Sequence, residues 1–231
     1  MRTLLSALAL LLVAGPASAQ MRGMTAKPYT PADESGGPDD ATQAIDLAFQ
    51  LATYGQDNDD ADALLTAAGI LIETDYEAVD RQPTIADDAP PATGTAETTP
   101  AFEPAALIAE ARRLDPSVGA RADALNQAAA ARGGARGASN GPSTSVWTVA
   151  PYTTHTYNIR FNGGQYAAIA VSGDGDTDID CTVYNGGYSL GGDYSYEDTC
   201  YLQWYVPYTT TYTIQLNNLG GMYNSYVIST N

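Results

Sequence analysis

Residues 171–206 read VSGDGDTDIDCTVYNGGYSLGGDYSYEDTCYLQWYV, and hydrophobic residues there recur at every second position. Ile179, Cys181 and Val183 share one parity, Asp178, Asp180 and Thr182 the other, and Cys200, Leu202, Trp204 and Val206 repeat the pattern. A period of two belongs to a β-strand, whose side chains alternate between faces; a helix cannot line these residues up. Each strand is therefore expected to have one buried and one wet face. Both cysteines of the chain share the buried parity.

The same rhythm marks expected strands at 145–150, 155–161, 165–172, 178–184, 199–206, 211–216 and 223–230. Asn162-Gly163-Gly164, Asn185-Gly186-Gly187 and Leu219-Gly220-Gly221 supply turn chemistry between them. Seven short strands with no helical period among them predict an antiparallel sandwich or jelly roll over 145–231. Composition shifts with it: of 16 tyrosines, all but Tyr29, Tyr54 and Tyr76 lie beyond residue 144. PYTTHTYNI from Pro151 is echoed by PYTTTYTI from Pro207, which reads as equivalent corners of two sheets.

Ahead of this half the pattern is helical. Residues 1–19 have the form of a Sec-type signal peptide: Arg2, an apolar run from Leu4 to Ala14, then Ala17-Ser18-Ala19. The run is too short to span a bilayer, and no other segment nears the roughly 20 apolar residues a membrane helix needs. Residues 20–40, rich in Pro, Gly and acid, read as a disordered leader. A helical hairpin is expected over 41–75: Ile45, Ala48, Leu51 and Ala52 on the first helix, Gly55 ending it, Asp59 or Asp60 capping the second, and Leu64, Leu65, Ala68, Leu71 and Ile72 in its stripe. Residues 76–103 lack hydrophobic rhythm and read as a disordered linker. A second helical pair over 104–132 opens at Pro104, breaks at Asp115-Pro116, and gives way to a Gly/Ser-rich spacer at 133–144. The expected whole is a multidomain chain, a small N-terminal helical region of two hairpins linked to an all-β sandwich.

An exported chain with two cysteines predicts one disulfide, Cys181–Cys200, with two buried free thiols as the alternative. Export places the protein in the periplasm or outside the cell. The formal net charge is −17, and Arg160 is the only Lys or Arg after Arg136. Such a surface repels nucleic acid and anionic lipid, which excludes nucleic-acid binding and membrane insertion and favours basic partners or metal cations.

The strand TYNIRF, the loop and strand VSGDGDTDIDCTVYN, the strand CYLQWYVPYTTTYTIQLNN and the closing NSYVISTN resemble the bacterial pre-peptidase C-terminal domain family. The resemblance covers 145–231 only. It implies a small non-catalytic β-sandwich associated with secretion, substrate attachment or processing, with calcium bound in some relatives. Helices, not a peptidase domain, precede it here.

Asp174, Asp176, Asp178 and Asp180 occupy alternate positions of GDGDTDID, and Asp193, Glu197 and Asp198 follow in the next loop. Carboxylates this dense suit calcium as hard oxygen ligands, the alternative being a solvated acidic turn. Asp174, Asp176, Asp178, Asp180, Asp193 and Asp198 form the expected ligand set, Ca2+ the only cofactor suggested. An EF-hand is excluded, with Ile179 where Gly is required and Asn185 where Glu should be. Gly137-Ala138-Ser139-Asn140-Gly141 matches a nucleophile elbow in letters but lacks the strand before and the helix after. His155, the only histidine, has no evident acid partner. No HExxH, zinc cluster or phosphate loop occurs. The outward tyrosines Tyr184, Tyr201 and Tyr205 offer either an aromatic platform for a glycan or peptide or ordinary strand composition. The expectation is a non-enzymatic binding or scaffolding protein with a protein or polysaccharide partner. The alternatives are a hydrolase or peptidase accessory using His155, and an envelope structural protein.

Overall fold

The structure is a computed structural model and describes residues 40–85, 102–132 and 142–231. The expected signal peptide, most of the leader, residues 86–101 of the linker and the elbow-like Gly137–Gly141 motif lie outside them.

Four helices come first: α1 (Asp40–Asp57), α2 (Ala61–Glu73), α3 (Pro104–Leu114) and α4 (Gly119–Arg132). Asp60 caps α2, its Oδ1 accepting from the amides of Asp62 and Ala63 at 3.0 Å. Arg132 of α4 closes the other end of α2, donating to the carbonyls of Ile72 and Glu73. Gly55 does not end α1, which runs on to Asp57. It marks a close approach, because a Cβ there would stand 2.8 Å from the Leu64 side chain of α2. Ile45, Ala48, Leu64, Leu65, Leu71, Leu107 and Ile108 fill one helical core, and Phe49 meets Phe102 edge to face at 5.2 Å.

The carboxyl half forms two five-stranded sheets. The middle sheet has the order β1 (Glu77–Ala78), β3 (Ser143–Val149), β10 (Asn224–Thr230), β5 (Gln165–Ser172), β8 (Thr199–Val206). The outer sheet has the order β2 (Thr84–Ile85), β4 (Thr154–Phe161), β9 (Thr210–Asn218), β6 (Ile179–Asn185), β7 (Tyr188–Asp193). All neighbours are antiparallel except β1 with β3. Tyr157, Phe161, Ile169, Val171, Cys181, Val183, Ile214, Leu216 and Tyr226 pack between the sheets. Cys181 and Cys200 are bonded across them, Cα atoms 6.3 Å apart, joining β6 to β8.

Three expectations change. The middle sheet has no wet face along β10, where every residue from Asn224 to Thr230 is buried. The helices lie on that face: Val227 belongs to the helical core, and Asp46 of α1 accepts from Ser172 Oγ of β5 at 2.7 Å. The outward residues Ala168, Ala170, Ser172, Ser225 and Ser229 are small and uncharged, so a helix can approach closely. The result is three layers: helices, middle sheet and outer sheet.

The stretch expected to be a linker is ordered from 76 to 85. Glu77–Ala78 pairs with β3 in one sheet and Thr84–Ile85 with β4 in the other, so this strap crosses the margin opposite the disulfide. Its hydrogen bonds are mostly main-chain, which hydrophobic rhythm cannot report. Finally, the two echoed segments do not sit at corners of different sheets. They lead into β4 and β9, which pair directly, Tyr157 opposite Ile214 and Ile159 opposite Tyr212.

Candidate functional site

His155 faces inward from β4 and is 1% exposed. Its Nδ1 is 2.7 Å from the Tyr226 hydroxyl, which is also bonded to the hydroxyl of Tyr157 at 2.5 Å. Burial lowers His155 to about 4, so the ring is neutral at neutral pH. Burial pushes Tyr157 up to about 12 against the hydrogen bond to Tyr226 and the nearby Arg81 charge, and Tyr226 is raised for the same first reason. Arg81, on the strap, donates to Ser143 Oγ at 2.8 Å while its Nη1 is buried without a partner. His155, Tyr157 and Tyr226 are buried between the sheets, while Arg81 and Ser143 stand part-exposed at the margin.

The six expected ligand carboxylates do not converge. Asp174 Oδ2 accepts from the Ser225 amide at 2.7 Å. Asp198 Oδ2 accepts from Gly175 N at 2.6 Å and Oδ1 from Asn224 Nδ2 at 2.9 Å. Asp198 O accepts from Gly173 N at 2.8 Å. These two acids thus tie the loop between β5 and β6 to the loop entering β8 and to the first residues of β10. Gly173 is required there, because a Cβ would run into the Asp198 carboxylate, and Gly175 has φ 91°. Burial pushes Asp198 up to about 7, opposed by the bonds from Asn224 and Gly175 and reinforced by the charges of Asp174 and Asp176. Asp178, Asp180 and Asp193 form a separate trio: Asp178 is raised by burial and by Asp193, Asp180 by burial, Asp178 and Asp193. Asp193 also accepts from Ser195 N at 3.2 Å. Among the described residues, no group of three His, Cys, Asp or Glu side chains is arranged to hold a metal ion.

The three outward tyrosines each point away from the core on their own strand but do not share a face. Tyr184 points from the outer sheet and Tyr201 and Tyr205 from the middle sheet, on opposite sides of the sandwich, because β6 and β8 lie in different layers. Tyr201, Gln203 and Tyr205 form a row on β8, and Tyr166 of β5, opposite Tyr205, stacks on it edge to face at 5.5 Å. α1 reaches this row at Tyr201. Gln43, Ala44, Asp46, Leu47 and Gln50 of α1 and Tyr201 of β8 line a shallow groove of about 540 Å3. Gln43 Nε2 donates to the Tyr201 hydroxyl at 3.3 Å, and Gln50 Nε2 to Asp46 Oδ2 at 3.0 Å. The helix residues of this groove were beyond sequence reading, since only the docking of α1 on the middle sheet brings them to β8. The one signal was the polar stripe Gln43, Gln50 interrupted by Leu47, which is 51% exposed.

The margin formed by β7 and β8 is also aromatic. Tyr188 is 81% and Tyr196 97% exposed, and Tyr194 hydrogen-bonds Thr182 Oγ1 at 3.1 Å. Among the described residues no helix is long and apolar enough to cross a membrane.

No family model and no curated protein matches the chain. Solved structures are similar over part of it. A periplasmic inhibitor of g-type lysozyme from Aeromonas hydrophila is 14% identical, with 39% of this chain and 84% of that one covered and a TM-score of 0.31. The pre-peptidase C-terminal domain of a Bacillus anthracis collagenase is 10% identical, covering 38% and 76%, with a TM-score of 0.28. A carbohydrate-binding module of a laminarinase from Zobellia galactanivorans is 16% identical, covering 35% and 74%, with a TM-score of 0.24.

Proposed function

We propose that this chain is an exported, non-catalytic binding protein that holds a partner or surface through the edge of the middle sheet that its helices leave uncovered. The observation that carries this reading is the asymmetry of the middle sheet. Its β10 and most of β5 are buried under helices, while the edge strand β8 keeps an outward row of Tyr201, Gln203 and Tyr205 beside α1. Aromatic rings with polar tips set among amides are the composition of a recognition surface. The hydrolase alternative is weakened by His155, whose ring is sealed and neutral, and by Asp174 and Asp198, which anchor loops.

The test compares retention of the full exported chain on cell-wall polymers and on immobilised envelope proteins. Tyr201→Ala with Tyr205→Ala should abolish retention and His155→Ala, if folded by thermal melt, should not. Turnover of peptide, ester or glycoside substrates that vanishes in His155→Ala would instead establish an enzyme.

A further inference from the structure

We infer that the groove between α1 and β8 takes a neutral glycan strand; this rests on the binding reading above and names its ligand. One wall is the helical stripe Gln43, Leu47 and Gln50, at the i, i+4, i+7 spacing that places residues on one face. The other is Tyr201, and Asp46 lies between, one carboxylate oxygen taken by Ser172 and the other by Gln50. The groove exists because of a size difference between paired strands. Ala170 and Ala168 of β5, opposite Tyr201 and Gln203 of β8, let α1 settle on β5 while the larger β8 side chains flank it.

Three properties of this lining select the ligand. A sugar ring presents an apolar C–H face and a rim of hydroxyls that both donate and accept. Tyr201 and the half-exposed Leu47 suit the first, and the carboxamides of Gln43 and Gln50, which also donate and accept, suit the second. Charge excludes the acidic glycans: α1, β5 and β8 contain no Lys or Arg, and among the described residues the only formal charge lining the groove is Asp46. A uronate, sulfate or phosphate group would enter a negative field without a counter-cation. An extended peptide would seek main-chain pairing along the open edge of β8, which runs along the sheet margin and not along α1. The row continues from Tyr201 through Gln203 to Tyr205, roughly 13 Å at the rise of a strand. The groove is lined by Tyr201 alone of this row, and Gln203 and Tyr205 extend the surface beyond it, which fits several units of a polymer better than a single sugar.

The experiment is native affinity electrophoresis of the full chain in gels cast with dextran, xylan, galactomannan or hydroxyethyl cellulose, with alginate and polylysine as charged controls. Retardation is expected in at least one neutral gel and not in alginate. In that gel Tyr201→Ala and Gln50→Ala should weaken binding on the order of tenfold, about 1.4 kcal/mol. Tyr201→Phe, which keeps the ring, and Tyr196→Ala, an exposed tyrosine outside the groove, should retain it. Thermal melts separate loss of binding from loss of fold. Unchanged mobility in every neutral gel, retention only in alginate or polylysine, or full retention of a folded Tyr201→Ala variant would each overturn the inference. If glycans fail but envelope proteins are held through Tyr201 and Tyr205, the binding reading stands and this ligand does not; failure on both overturns both.

Discussion

Asp198→Asn should stabilise this protein at pH 8, although it removes a carboxylate that makes two hydrogen bonds. Asp198 is pushed up to about 7 by burial, against the bonds from Asn224 and Gly175 and with the charges of Asp174 and Asp176 adding to the rise, from a value of 3.8 in the unfolded chain. The folded state therefore binds this proton more tightly. Its contribution to stability is fully present below about pH 3.8 and is lost as the pH rises through about 7. Three units at about 1.4 kcal/mol each set a ceiling of roughly 4 kcal/mol for the strain of holding the ionised group at pH 8. A neutral amide escapes that strain. Its oxygen can keep the Gly175 amide, but its nitrogen meets Asn224 Nδ2, which Thr177 O and Oγ1 hold in place at 3.3 and 3.0 Å, and the lost hydrogen bond offsets about 1 kcal/mol of the gain. Urea unfolding of wild type and variant at pH 8, 6 and 4 should show the variant ahead by roughly 1 to 3 kcal/mol at pH 8. The gap should close toward pH 4. His155 titrates in the opposite sense, its contribution present above about 6.5 and lost as the pH falls through about 4, but it cancels in the difference. A variant less stable than wild type at pH 8 would refute the reasoning. It would mean that the ionised carboxylate is favoured in the fold, as a bound cation would make it, and melts in calcium against EDTA would then identify that cation.

The disulfide, closing 19 residues of sequence separation, should contribute about 3 kcal/mol by chain entropy, read as the drop in urea-derived stability of Cys181→Ala with Cys200→Ala. Thiol titration of denatured, unreduced protein should find no reactive group. Tyr226→Phe leaves both His155 Nδ1 and the Tyr157 hydroxyl without their partner and should cost about 1–3 kcal/mol in the same assay; a neutral outcome would show that water replaces the hydroxyl. Gly173→Ala should cost about 1–3 kcal/mol because its Cβ meets the Asp198 carboxylate, and Asp198→Ala in the same chain should recover most of that loss. Additive effects of the two substitutions would show that they do not touch.

The alternation of Ile179, Cys181 and Val183, and of Cys200, Leu202, Trp204 and Val206, was enough to mark their strands and to put both sulfurs inside, because strand parity is a local property. What went unread depends on contacts between distant elements. The strand β7 carries Gly191 and Gly192 and no buried large side chain, so its sequence looks like loop, although Gly186 (φ 56°) and Gly187 (φ 87°) turn it back onto β6 as the Asn185-Gly186-Gly187 signal implies. The covered face of the middle sheet did leave a trace. Ala168, Ala170 and Ser172 on β5 and Ser225 and Ser229 on β10 are too small and too uncharged for a wet face, unlike Asn158 and Arg160, which lie exposed on β4. The acidic loop was visible as a cluster of charge, but its partners, the amides of Ser225 and Gly175 and the side chain of Asn224, are main-chain or distant, and only the fold assigns them.

The placement of β10 has a mechanical consequence. It lies between β3 and β5, hydrogen-bonded on both sides, with helices above and the outer sheet below. A load applied along it must shear two ladders at once, whereas an edge strand could be peeled one bond at a time. With a sulfur bridge at one margin and the 77–85 strap at the other, the sheets cannot splay to relieve the pull.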